Sequence, residues 1–179
     1  MPSCDLTFGR LEPCKSSNGG IVAAYFITSG LIDPADVVYS ASPNTDVIDS
    51  ITGTITAVKY DLRGTNTFEQ TVTSSRENGT TFVEQKLSLM LKQLTIQDHK
   101  ELKLLCYGRP QVVLQDNNGN LFLLGLQHGL DVTTMAVSSG TNLGDFSGYK
   151  IELVGMEPIP ANFVEGPVTT FFDTIVTGA

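Results

Sequence analysis

Short apolar or alternating runs, each stopped by glycine, proline or an Asn/Asp-rich cluster, divide this chain along its length. That punctuation favours strands joined by turns over any helical architecture. Ile21–Ile27 is apolar on both faces and lies between Gly20 and Gly30, as suits a buried strand. Thr54–Leu62 alternates, with Thr56, Val58, Tyr60 and Leu62 on one face and Lys59 and Asp61 on the other. Phe68, Gln70 and Val72 then oppose Thr67, Glu69, Thr71 and Thr73 in a Thr-rich strand. Arg76-Glu77-Asn78-Gly79 follows as a turn, since Asn-Gly tolerates positive φ at both residues. A second turn, Asp116-Asn117-Asn118-Gly119-Asn120, separates Val112–Leu114 from Leu121–Leu124 and marks the clearest hairpin. Asp131–Ser138 and Tyr149–Val154 read as further strands around a Gly-rich loop at 138–148. Residues 30–50, with Pro34 and Pro43, read as loop with a short turn at Pro34-Ala35-Asp36.

Residues 80–94 fit two periods. Leu87, Leu89 and Leu91 alternate with Lys86, Ser88 and Lys92, while Val83, Leu87, Met90, Leu91 and Leu94 also fit a helix. Strand is the preferred reading, because Asn78-Gly79 wants a partner strand. The one segment with helical end signals is Ile96–Cys106. Thr95 stands at the cap position with Asp98 three residues on, Leu102, Leu105 and Cys106 form a stripe, and Gly108 and Pro110 stop it. The expected layout is an arm at 1–20, one β domain over 21–160 with a long assembly hairpin or loop near 40–80, and a C-terminal arm or added strand at 161–179.

Composition agrees with strands. Charged residues make up 17% of the chain, below the usual quarter or so, and Thr, Ser, Asn and Gly take their place. The net charge is −8, with no cluster of Lys and Arg, so tight binding of nucleic acid through phosphates is not expected. Three cysteines, Cys4, Cys14 and Cys106, form no disulfide framework and no zinc pattern. The first residues carry no basic-then-apolar leader, and no apolar stretch approaches the ~18 residues of a membrane span. The chain thus reads as one folded in a reducing cytosol.

Catalysis needs a constellation, and none is visible. His99 falls in the first helical turn and His128 between a glutamine and a glycine, and both read as structural. No P-loop, no Gly-x-Ser-x-Gly elbow and no dinucleotide fingerprint occurs. Asp116-Asn117-Asn118-Gly119 looks like part of a calcium loop but lacks the closing glutamate, so a turn explains it. Glu157, between Gly155-Met156 and Pro158, has no partner carboxylate nearby and reads as part of a turn. No enzyme, metal or cofactor is expected.

The order of parts resembles the tail-tube family of contractile and long-tailed phages. A Thr-rich hairpin precedes a strand, that strand runs into a single helix, and the Asp-Asn-Asn-Gly-Asn hairpin follows. The last strand then runs Gly148-Tyr149-Lys150-Ile151-Glu152-Leu153-Val154-Gly155-Met156-Glu157-Pro158. Cys4-Asp5-Leu6-Thr7, Gly9-Arg10 and Pro13-Cys14-Lys15 also look like structural proteins of phages of Bacteroides-type bacteria, including crAss-like phages. The resemblance implies a mostly-β, tail-tube-like barrel or sandwich with one flanking helix, stacked as rings of six or twelve copies. It implies a virion location after synthesis in the host cytoplasm, contacts with other tail or neck proteins, and passage of DNA without tight binding. Its functional residues would be interfaces. On the hairpin these are Leu62, Thr65, Phe68, Gln70, Val72, Arg76 and Asn78, and deleting 62–80 is expected to leave a folded monomer. The alternatives are a connector, neck or capsid decoration protein, or a ligand- or carbohydrate-binding β-sandwich.

Overall fold

The computed structural model describes residues 9–12, 14–41 and 43–178. Its strands are β1 (Ile21–Ile27), β2 (Val37–Tyr39), β3 (Ile48–Ile51), β4 (Thr56–Asp61), β5 (Thr67–Ser75), β6 (Thr80–Lys92), β7 (Gln111–Asp116), β8 (Leu121–Leu124), β9 (Asp131–Ser138), β10 (Gly148–Glu157), β11 (Asn162–Val164) and β12 (Thr174–Thr177). The helices are α1 (Ile96–Leu105) and a single turn, α2 (Val168–Phe171). Two sheets hold the strands. The larger has the order β12-β4-β1-β7-β8-β11-β3-β2, and the smaller β5-β6-β10-β9.

β1 explains why two cores exist. Ala24 and Phe26 point to one side, with Val112, Leu114 and Leu124, and meet Leu87, Leu89, Ile151 and Leu153 of the smaller sheet. Ala23, Tyr25 and Ile27 point to the other, with Val113, Leu121 and Leu123. There the larger sheet curls, so that Ile48 of β3 and Ala57 of β4 share one core with Val168, Phe171 and Phe172. A central strand that is apolar on both faces is what such a layered arrangement requires. The molecule is therefore a sandwich whose larger sheet rolls over a second core.

The fold is mostly β, as expected, but it has the short α2 besides the expected helix α1, and it does not close into a barrel. The larger sheet ends at β12 and β2 and the smaller at β5 and β9, with no ladder joining the ends. Aromatic and aliphatic side chains around α2 fill the roll instead of a completed ladder. Residues 80–92 form a strand that pairs β10 over ten register positions, from Gly148↔Lys92 to Glu157↔Val83. Tertiary pairing thus settles a segment in which both periods were present.

Two segments differ from the sequence expectation. Of the two readings of the C-terminal segment, residues 161–178 are the added strand and no free arm, and they belong to the domain: β11 pairs β8 and β3, β12 adds parallel to β4, and Phe171 and Phe172 are buried. The 30–50 region contains β2 and β3, held together by three register pairs and anchored by buried Val37 and Ile48. The described arm residues 9–12 and 14–20 are irregular and exposed. Cys4-Asp5-Leu6-Thr7 and Pro13 lie outside the described residues.

Candidate assembly surface

The smaller sheet presents one buried and one open face. Residues directly opposite across an antiparallel ladder share a face. Val83, Gln85, Leu87 and Leu89 of β6 therefore look inward with Tyr149, Ile151 and Leu153 of β10. Outward, the ladder sets Lys86, Ser88, Met90 and Lys92 beside Lys150, Glu152, Val154 and Met156, with Glu84 at one end. From β5, Glu69 sits opposite Lys86 on this face. Lys86 Nζ lies 3.6 Å from a Glu152 carboxylate oxygen. Three lysines and three glutamates, with Asp131 of β9 opposite Val154 paired to Arg109 at 3.1 Å, leave the open face close to neutral in a chain of net charge −8.

β5 forms one edge of that sheet. It pairs β6 without a register shift from Thr67↔Ser88 to Ser75↔Thr80. Among the described residues its other edge is unpaired, leaving a row of backbone donors and acceptors available. Natural edges are usually blunted by lysine, proline or a bulge, and β5 has none of these. β9 forms the opposite edge, with no lysine, arginine or proline in Asp131–Ser138. It carries one bulge, because Glu152 faces Thr134 while Leu153 faces Val132.

The structure divides the expected interface residues. Leu62 belongs to the core between the sheets and cannot meet a neighbour. It follows Tyr60 onto the same face of the chain, and burial of that face comes from the smaller sheet folding over it. Phe68 packs against the same core, 6.0 Å from the Phe122 ring, which in turn lies 4.5 Å from Phe163. Gln70 Oε1 accepts the Ala161 N–H at 2.8 Å, tying the edge strand to the larger sheet. Val72, two residues on along the same face, is 59% exposed. Thr65, Arg76 and Asn78 are exposed. The distal part of the hairpin, Val72 to Phe82, is thus free to reach another molecule, as is the unpaired main-chain edge of β5. Asn66, which the sequence did not single out, is buried, and its Oδ1 accepts the Met90 N–H at 2.8 Å. Deletion of 62–80 would remove Leu62, Asn66 and Phe68 from the body of the fold.

The other polar clusters have structural employment. Glu157 is 2% exposed, and its carboxylate accepts N–H groups from Gln127 at 3.2 Å and His128 at 2.8 Å. His128 Nδ1 lies 3.7 Å from it, so the pair anchors the 125–130 loop rather than a turn of its own. Gln111 is also buried: its amide donates to Ile32 O and Leu126 O and accepts from Ile32 N–H. These contacts floor a cleft of about 240 Å³ between residues 29–34 and 126–129. Asp116 accepts N–H groups of Asn118 and Asn120, which closes the β7–β8 turn and occupies the would-be calcium ligand. Burial pushes the Asp116 carboxyl up, but these Asn120 and Asn118 donors outweigh it and leave its pKa below the ordinary range. Among the described residues no group of three or more His, Cys, Asp or Glu could hold a metal ion. No described helix is long and apolar enough to cross a membrane.

Comparisons with protein-family models, curated proteins and solved structures found no match to this chain. The functional reading therefore rests on the geometry of the molecule.

Proposed function

We propose that this chain is a non-enzymatic structural subunit that assembles head to tail into rings, as a phage tail-tube or tail-ring protein does. The observation that carries this is the smaller sheet's pair of unpaired edges, the nine-residue β5 with no blocking feature and the eight-residue β9 with a single bulge near its start. Edge strands add to one another through main-chain hydrogen bonds. Different edges on one subunit make a heterologous contact, which closes into a ring when the rotation allows. Copies of the small sheet, joined in this way, would form a continuous wall whose open face is near neutral. Such a wall offers DNA few phosphate contacts, so DNA could pass without sticking. In this role the chain would sit in the virion and meet other tail or neck proteins at the ends of the ring.

Light scattering coupled to size exclusion, with negative-stain microscopy, tests the proposal. Rings or tubes should form without added ligand, six- or twelve-membered if the tail-tube resemblance holds. A protein that stays monomeric at high concentration would end the proposal.

A further inference from the structure

We infer that a second contact joins neighbouring copies, with the outward face of α1 on one copy seated against the acidic β2–β3 edge of the next. The inference rests on the ring-assembly reading and names a contact within it.

The face of α1 turned away from the protein is unusual. Leu102 and Leu105 pack into the core between the sheets. On the opposite side, Ile96, Lys100, Lys103 and Leu104 recur at helical spacing, and Tyr107 continues the row just past the helix end. Ile96 is 94% exposed, Leu104 61% and Tyr107 92%, and both lysines are exposed. The helix's acidic residues lie off this stripe: Asp98 and Glu101 are near enough to Tyr60, on β4, to raise its pKa. The outward face is thus apolar and basic on an acidic protein. Apolar and aromatic anchors rimmed by charge are the usual make-up of a contact site.

The charge that complements it is on the same chain. Residues 16–58 contain Asp33, Asp36, Asp46 and Asp49 and not one lysine or arginine. All four aspartates are exposed, as are Val38 and Tyr39 on β2, the free edge of the larger sheet. This patch is apolar and acidic where the α1 face is apolar and basic.

One copy does not bring the two together. β2 and β3 bury Val37 and Ile48 in the core inside the roll, while α1 buries Leu102 in the core between the sheets. Those cores lie on opposite faces of β1 and β7, and although Asp33 lines one cleft with Arg109, two residues past Tyr107, no ion pair among the described residues joins Lys100 or Lys103 to any of the four aspartates. Complementary surfaces held apart on one subunit are what a head-to-tail contact between identical subunits needs. A second copy is therefore the occupant the charges select.

Charge reversal in the full chain tests this. One variant carries Lys100→Glu with Lys103→Glu, a second Asp36→Lys with Asp49→Lys, and a third all four changes. The positions are exposed, and circular dichroism should report the native fold for each. Sedimentation velocity should show each double variant needing about tenfold more protein to assemble, since several rim pairs turn repulsive. The quadruple variant should recover, and so should an equimolar mixture of the two double variants. Wild-type assembly should weaken with added salt. Double variants that assemble like wild type would overturn this contact while leaving ring assembly intact. Weakened double variants without recovery in the quadruple would mean that the two patches do not meet each other, and would overturn it equally. A monomeric wild type would remove both the contact and the assembly reading.

Discussion

Gln111 shows how much one buried polar residue can decide. It sits at the start of β7 and bonds two loops that are distant in sequence, through Ile32 and Leu126. Gln111→Leu would keep the volume but orphan an N–H and two carbonyls, so a loss of about 3 kcal/mol is expected from chemical denaturation. A loss under about 0.5 kcal/mol would mean that water satisfies these groups and that the cleft is wetter than its geometry implies. Tyr60 makes a second test. Burial, then the Asp98 and Glu101 carboxylates, push its phenol up to about 12. A folded pKa above the unfolded ~10 means that the protein holds the Tyr60 proton more tightly than the unfolded chain does. The associated stability is present below pH ~10 and is lost as pH rises toward 12. Ultraviolet titration should show a late tyrosine step that Tyr60→Phe abolishes. A titration complete within the ordinary tyrosine range would refute the placement of α1 over Tyr60.

At the scale of elements, α1 and the β5–β6 hairpin make opposite predictions. Leu102 is fully buried, so Leu102→Ala should cost roughly 2–5 kcal/mol, whereas Leu104→Ala on the outward face should change stability by less than about 0.5 kcal/mol. Equal losses would mean that the helix is rotated from the described position. For the hairpin, replacing residues 73–81 with a short turn should leave the melting temperature nearly unchanged and weaken assembly, because the edge lost is exposed along this stretch. Deleting 62–80 should instead unfold the protein, since it takes Leu62 and the Phe68 contact with it. The helix was legible in the sequence because its cap is local: Thr95 Oγ1 accepts the Asp98 N–H at 3.0 Å, three residues away. The hairpin turns were legible for the same reason. β2, β3 and β11 were not, because strands of three or four residues carry too few positions to show a period. The residues of α2 fall in the segment expected as an arm or added strand, and only the packing of Phe171 into the roll makes them a turn of helix.

For the whole molecule, the charge distribution bears on DNA. The assembled form should show no measurable binding to duplex DNA at physiological salt, and no steep salt dependence, because the open face of the smaller sheet balances its lysines with glutamates. Micromolar binding that falls sharply with salt would point to a DNA-gripping connector. The interface residues were only partly legible: the alternation that put Phe68, Gln70 and Val72 on one face was correct, yet nothing local says that this face turns inward. The sequence by itself determined what depends on neighbours along the chain: strand periods, the Asn-Gly and Asp-Asn-Asn-Gly turns, the capped helix and the absence of a basic cluster. Tertiary structure alone decided which face of each strand is buried, that the C-terminal residues complete a core, that the larger sheet rolls without closing, and which edges stay open. Burial and edge pairing depend on which distant segment arrives opposite a given strand, and a period of two residues is the same whichever side that segment takes.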